Sequence, residues 1–98
     1  MTATTLAFKK GAFQAVLDLQ LPPGKMDKIV DEIFLDGERS DWEDMLERYS
    51  PKTATNIGYQ FVCILAFIRP KDRESATHNL FRFMTESARL STKKFQQN

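Results

Sequence analysis

The stretch Ile57-Gly58-Tyr59-Gln60-Phe61-Val62-Cys63-Ile64-Leu65-Ala66-Phe67-Ile68-Arg69-Pro70 is the most apolar run in the chain, and its reading decides the fold. Three structures compete for such a run: a membrane span, a strand and a buried helix. Ile57 to Ile68 is 12 residues, a helix of roughly 18 Å against a hydrocarbon core of about 30 Å, so it does not span. Ser50-Pro51 just upstream is a helix start, with serine as the cap and proline in the first turn. Pro70 reads as the stop, because the residue before a proline is driven out of helical geometry. The segment 51–69 is then too long for an ordinary strand and is predicted to be a helix.

On that helix, Ala54, Ile57, Gly58, Phe61, Ile64, Leu65 and Ile68 form a normal core stripe. The opposite side carries Tyr59, Val62, Cys63, Ala66 and Phe67, where a surface helix would show charge. A helix apolar all round needs cover all round: from the other helices, from a second subunit, or from a partner protein.

Upstream, residues 25–35 repeat Met26, Ile29, Val30 and Ile33 at helical spacing, and Asp36-Gly37 ends them. Ser40-Asp41-Trp42-Glu43 has the spacing of a capping box for a short helix with Trp42, Met45, Leu46 and Tyr49 on one side. After Pro70 a last helix is expected from about Asp72 to beyond Leu90. Its apolar side is Ala76, Leu80, Phe83, Met84 and Ala88; its wet side is Glu74, His78, Arg82, Thr85 and Arg89.

Residues 4–21 carry two signals. Phe13, Ala15, Leu17, Leu19 and Leu21 alternate with more polar neighbours, which is the period of a strand, and Lys9-Lys10-Gly11 offers a hairpin turn. The segment is also rich in Ala, Lys, Gln and Leu and poor in β-branched residues, which favours helix. Helix is the reading adopted, with a β-hairpin or strand as the alternative. The predicted fold class is mainly α: a single domain, 1–98, built as a bundle of four to five short helices with an apolar central helix at 51–69.

The 98 residues hold 42% hydrophobic and 28% charged side chains, the composition of an ordinary globular domain. The opening residues lack the basic-then-apolar order of a secretion signal. Cys63 is the single cysteine, so no internal disulfide forms, and the expected compartment is the cytoplasm. One cysteine and one histidine do not make a zinc site, and the carboxylates between Asp31 and Glu47 lack the alternation and central glycine of a calcium loop. Cys63 sits inside the apolar helix, where burial would make the thiol inert. His78 sits in a surface charge row between Glu74 and Arg82. The glycines at 11, 24, 37 and 58 are isolated and form no phosphate loop. The expectation is therefore no enzyme, no metal, no cofactor, no small-molecule substrate and no membrane.

What remains is binding. The first reading is a small regulator, inhibitor or accessory subunit that binds a protein partner or forms a homodimer. Its contact residues would be Tyr59, Val62, Cys63, Ala66 and Phe67, with Trp42 and Tyr49 as aromatic anchors. The second reading is a DNA- or RNA-binding regulator. Residues 51–98 hold 8 Lys/Arg against 3 Asp/Glu, whereas residues 1–50 hold 6 against 10. Arg69, Lys71, Arg73, Arg82, Arg89, Lys93 and Lys94 would then meet phosphates. Helices 25–35 and 41–49 do outline a helix-turn-helix, but the second is acidic, the wrong sign for a recognition helix.

Overall fold

The computed structural model describes residues 2–22, 24–25, 27–29 and 39–96, apart from the side chains of residues 39 and 89–96. It is a mainly α bundle, and among the described residues there is no strand. The bounded helices are α1 (Ala3–Asp18), α2 (Arg39–Leu46), α3 (Pro51–Leu65) and α4 (Pro70–Gln96). Lys25 and residues 27–29 are helical too, as expected for the start of the 25–35 helix; Met26, Val30, Ile33 and the stop at Asp36-Gly37 lie outside the described residues.

Residues 4–21 resolve as helix. Thr2 caps α1, its Oγ1 accepting the Thr5 amide at 3.1 Å. The period-two pattern has a helical explanation. In α1, Ala15 is buried and Leu19, just after the helix, is half-buried against the core, while Phe13 and Leu17 point to solvent. A helix apolar on both sides imitates alternation over a short window. The end of α1 is a Schellman turn: the Gln20 amide bonds the Leu17 carbonyl at 3.2 Å, and the Leu21 amide bonds that of Val16 at 3.1 Å. Gln20 takes the left-handed conformation there, with φ 54°.

Three boundaries differ from expectation. Helix α2 begins at Arg39, so Ser40 lies inside it and does not cap it. Helix α3 ends at Leu65, and residues 66–68 form a turn in place of a continuous 51–69 helix. Pro70 begins α4 instead of only ending what precedes it. A proline fits the first turn of a helix because its missing N–H would lack a partner there anyway. The Ser50-Pro51 start is as expected, with Ser50 Oγ accepting the Thr53 amide at 3.1 Å. The last helix is longer than expected: its 27 residues make about 40 Å at 1.5 Å each.

Helices α1 and α3 form the spine, so the expected central helix α3 shares the centre of the bundle with α1. They cross where Gly11 meets Thr55 and Gly58 meets Phe8, with no side chain between the backbones at either point. Around the crossing an aromatic cluster ties all four helices together. The Trp42 ring of α2 lies 6.3 Å from Phe8 of α1, 5.7 Å from Phe61 of α3 and 4.8 Å from Phe81 of α4. Phe8 and Phe61 meet edge to face at 5.5 Å, a favoured aromatic geometry. Ile29, Met45, Leu46, Ala54, Ile57, Val62 and Leu65 complete the core. On α4 the aromatic assignment differs from expectation: Phe83 is exposed and Phe81 faces the core, with Arg73 and Thr77 buried beside the expected Ala88.

Candidate binding surface

The expected contact residues divide by burial. Trp42 and Val62 are fully buried and belong to the core, so neither has surface to offer a partner. For Val62 the cause is the close crossing: Ala54, Gly58 and Val62 form one row at four-residue spacing, and the glycine lets α1 come near enough to cover the row. Tyr49 is half-buried and committed within the fold, its hydroxyl donating to the Met84 carbonyl at 2.6 Å. Partial burial raises its pKa above the ordinary tyrosine value. Tyr59, Cys63 and Ala66 are half-buried, and Phe67 is 74% exposed.

Tyr59, Cys63 and Phe67 recur every four residues, so they make one row along α3 and into the turn after it. Phe67 stands at the end of the row in the 66–68 turn, and Ile64, also exposed, is three residues before it. At the other end the row is anchored to α1. The Tyr59 hydroxyl donates to Asp18 Oδ2 at 2.7 Å, while Gln14 Nε2 donates to Asp18 Oδ1 at 2.8 Å. Both bonds favour the carboxylate, Tyr59 the more, and hold the Asp18 pKa below its usual value. The same bond pushes the Tyr59 pKa up, because losing the phenolic proton would break it and set two negative charges together.

A second exposed apolar surface was not anticipated from sequence. Leu6, Phe13 and Leu17 line the outer side of α1, with 47%, 49% and 54% of their surface open. Their spacing of seven and four was the available signal, hidden by the alternation of residues 13–21. Phe83 stands exposed on α4.

Among the described side chains, the candidate basic residues differ in burial and pairing. Arg73 is buried, and its Nε donates to the Leu65 carbonyl at the C-terminal end of α3 and to the Ile68 carbonyl in the turn after it, each at 3.2 Å. A cation there meets the negative end of the helix dipole. Arg69 is paired with Asp72 at 3.0 Å. Lys71 and Arg82 are exposed on α4; Arg89, Lys93 and Lys94 are in that helix, with side chains outside the described set. His78 is exposed beside Lys71 and Glu74.

The grooves among the described residues are open to solvent. A groove of about 380 Å³ between α2 and α4 is lined by Asp41, Asp44, Met45, Arg48, Phe81 and Thr85, and its charged side chains are solvated. Among the described residues no three His, Cys, Asp or Glu side chains come together to hold a metal ion. None of the described helices is long and apolar enough to cross a membrane. Set against known proteins, the chain matches no family model, no curated protein and no solved structure.

Proposed function

We propose that this chain is a small non-catalytic binding protein, a regulator, inhibitor or accessory subunit, that acts by docking a protein partner on the row Tyr59, Cys63, Phe67 and the adjoining Ala66. The observation that carries the reading is Phe67, a phenylalanine 74% open to solvent at the end of a partly apolar row. Fully burying such a ring contributes roughly 1.5–3 kcal/mol, and exposed apolar surface of this kind marks interaction sites. Tyr59, held by Asp18 at 2.7 Å, presents a rigid aromatic edge that loses little freedom on binding. The single cysteine fits a reducing compartment, and the cytoplasm is the one we propose. The nucleic-acid alternative has weaker support, because Arg73 is buried and Arg69 is already paired with Asp72.

The test compares the wild-type chain with Phe67→Asp. The variant is expected to keep the helical circular dichroism and melting temperature of the wild type. Any partner recovered with the wild type should bind the purified variant at least tenfold more weakly by calorimetry. A partner that binds both chains equally would sink the reading.

A further inference from the structure

We infer that the outer stripe of α1 is a self-pairing surface, on which the α1 helix of a second copy of this chain docks antiparallel. This goes beyond the partner-binding row, which lies on α3 and on the turn after it.

Leu6, Lys10, Phe13 and Leu17 are spaced four, three and four residues apart, the seam of a two-helix coiled coil. Three of the four are large apolar side chains with about half of their surface open. The inner side of the same helix, with Phe8, Gly11, Ala12 and Ala15, is locked against the core, so the stripe sits on a rigid element.

Spacing and charge together choose the occupant. Read backwards, four-three-four is unchanged. Two antiparallel copies of α1 therefore place Leu6 of each against Leu17 of the other, and Phe13 of each against the aliphatic stem of Lys10. That is the isologous pairing a two-fold dimer requires.

The charges of α1 are segregated: Lys9 and Lys10 lie in its first half, and its one acidic residue, Asp18, is at the end. Lys10, Gln14 and Asp18 recur every four residues, a row that leads from the stripe onto one of its flanks. Side chains on a helix lean toward its N-terminus, so in the antiparallel pair each Lys10 ammonium approaches the other copy's Asp18. The Tyr59 and Gln14 hydrogen bonds keep that carboxylate charged and fixed. A parallel pair would set Lys10 against Lys10. The opposite ends of one helix complement each other only when the second copy is reversed.

The experiment is the molar mass of the full chain by light scattering, from low micromolar to millimolar concentration. The wild type is expected to move from monomer to dimer, and Leu17→Glu to stay monomeric with an unchanged melting temperature. Phe67→Asp is expected to dimerise like the wild type. In a Cys63→Ala background, Leu6→Cys mixed with Leu17→Cys should form a disulfide-linked heterodimer faster than either variant links to itself. A monomeric wild type overturns the inference, as does faster self-linking of Leu6→Cys. Loss of the dimer in Phe67→Asp but not in Leu17→Glu would move self-association to the α3 row, leaving the partner-binding reading standing and this one refuted.

Discussion

Gly11 of α1 and Gly58 of α3 stand in a reciprocal relation: each faces the carbonyl of the residue three positions before the other. A Cβ on Gly11 would overlap the Thr55 oxygen and lie 2.7 Å from its carbonyl carbon; one on Gly58 would overlap the Phe8 oxygen and lie 2.8 Å from its carbon. Backbone against backbone at both points permits Cα–H to carbonyl contacts that side chains would hold apart. Alanine normally stabilises a helix interior over glycine by about 1 kcal/mol. Here the sign reverses, because the obstacle is backbone and cannot rotate away. Gly11→Ala and Gly58→Ala are each expected to lower stability by about 2 kcal/mol or more in urea unfolding. A stabilised Gly11→Ala would show that the helices separate freely.

Gln20 gives the opposite expectation. It occupies the left-handed position of the Schellman turn, φ 54°, where a Cβ is costly and glycine is the usual residue. Gln20→Gly should raise stability by about 0.5–1 kcal/mol, a melting shift of several degrees for a chain of this size. An unchanged or lower melting temperature would mean that the glutamine side chain makes up for its backbone strain.

The contrast between these positions shows what the sequence discloses and what it withholds. Local chemistry was legible: Ser50-Pro51 starts a helix, and Met45, Leu46, Ile57, Phe61 and Leu65 are core as their spacing implied, whereas Trp42, expected as a contact anchor, is core as well. Pro70 was read with the right physics on the wrong side, since a missing N–H both ends one helix and suits the start of the next. Gly11 was misleading because a glycine that permits a helix crossing looks, in sequence, like a glycine that permits a turn. The contact set shifted for the same reason. Whether Val62 faces solvent or core depends on how closely α1 approaches, and that approach needs both Gly58 and Gly11, the latter 51 positions before Val62. The outer stripe of α1 went unread because a helix apolar on two sides has almost no amphipathic signature.

Arg73 should behave as a structural residue. Its guanidinium serves the last carbonyl of α3 and one in the turn after it from a buried position. Hydrogen bonds to charged groups contribute about 1.5–3 kcal/mol, so Arg73→Ala is expected to cost about 2–3 kcal/mol. Exposed Lys71, two residues away, should tolerate Lys71→Ala within about 0.5 kcal/mol. Equal effects at the two positions would remove Arg73 from this role.

Thr77 is the converse case. Its hydroxyl is buried and, among the described residues, finds no hydrogen-bond partner. A buried hydroxyl without a partner carries a desolvation penalty of about 1–3 kcal/mol. Thr77→Val keeps the shape and removes the hydroxyl, so stability should rise by about 1 kcal/mol, whereas Thr77→Ser, which keeps the hydroxyl and loses a methyl, should lower it. If valine destabilises, the hydroxyl has a partner in solution.

The two tyrosines predict an alkaline limit to stability. Burial raises the pKa of Tyr49, and the bond to Asp18 raises that of Tyr59. Both folded groups therefore hold their protons to higher pH than the unfolded chain, whose tyrosines ionise near about 10. The sign follows: their contribution is intact below that value and is lost as pH rises through the raised folded values. The urea midpoint should fall as pH rises past about 10, and less steeply in Tyr49→Phe. Asp18 works in the other direction. With its pKa lowered, chiefly by Tyr59 and then by Gln14, its contribution is present above the ordinary aspartate value and disappears as pH falls through the lowered one. Tyr59→Phe removes the larger cause, so the Asp18 titration, followed by NMR, should move up toward that of a free aspartate. If it stays where it is in the wild type, the 2.7 Å hydrogen bond is not what holds the carboxylate, and the link it makes between α1 and the α3 row is broken in solution.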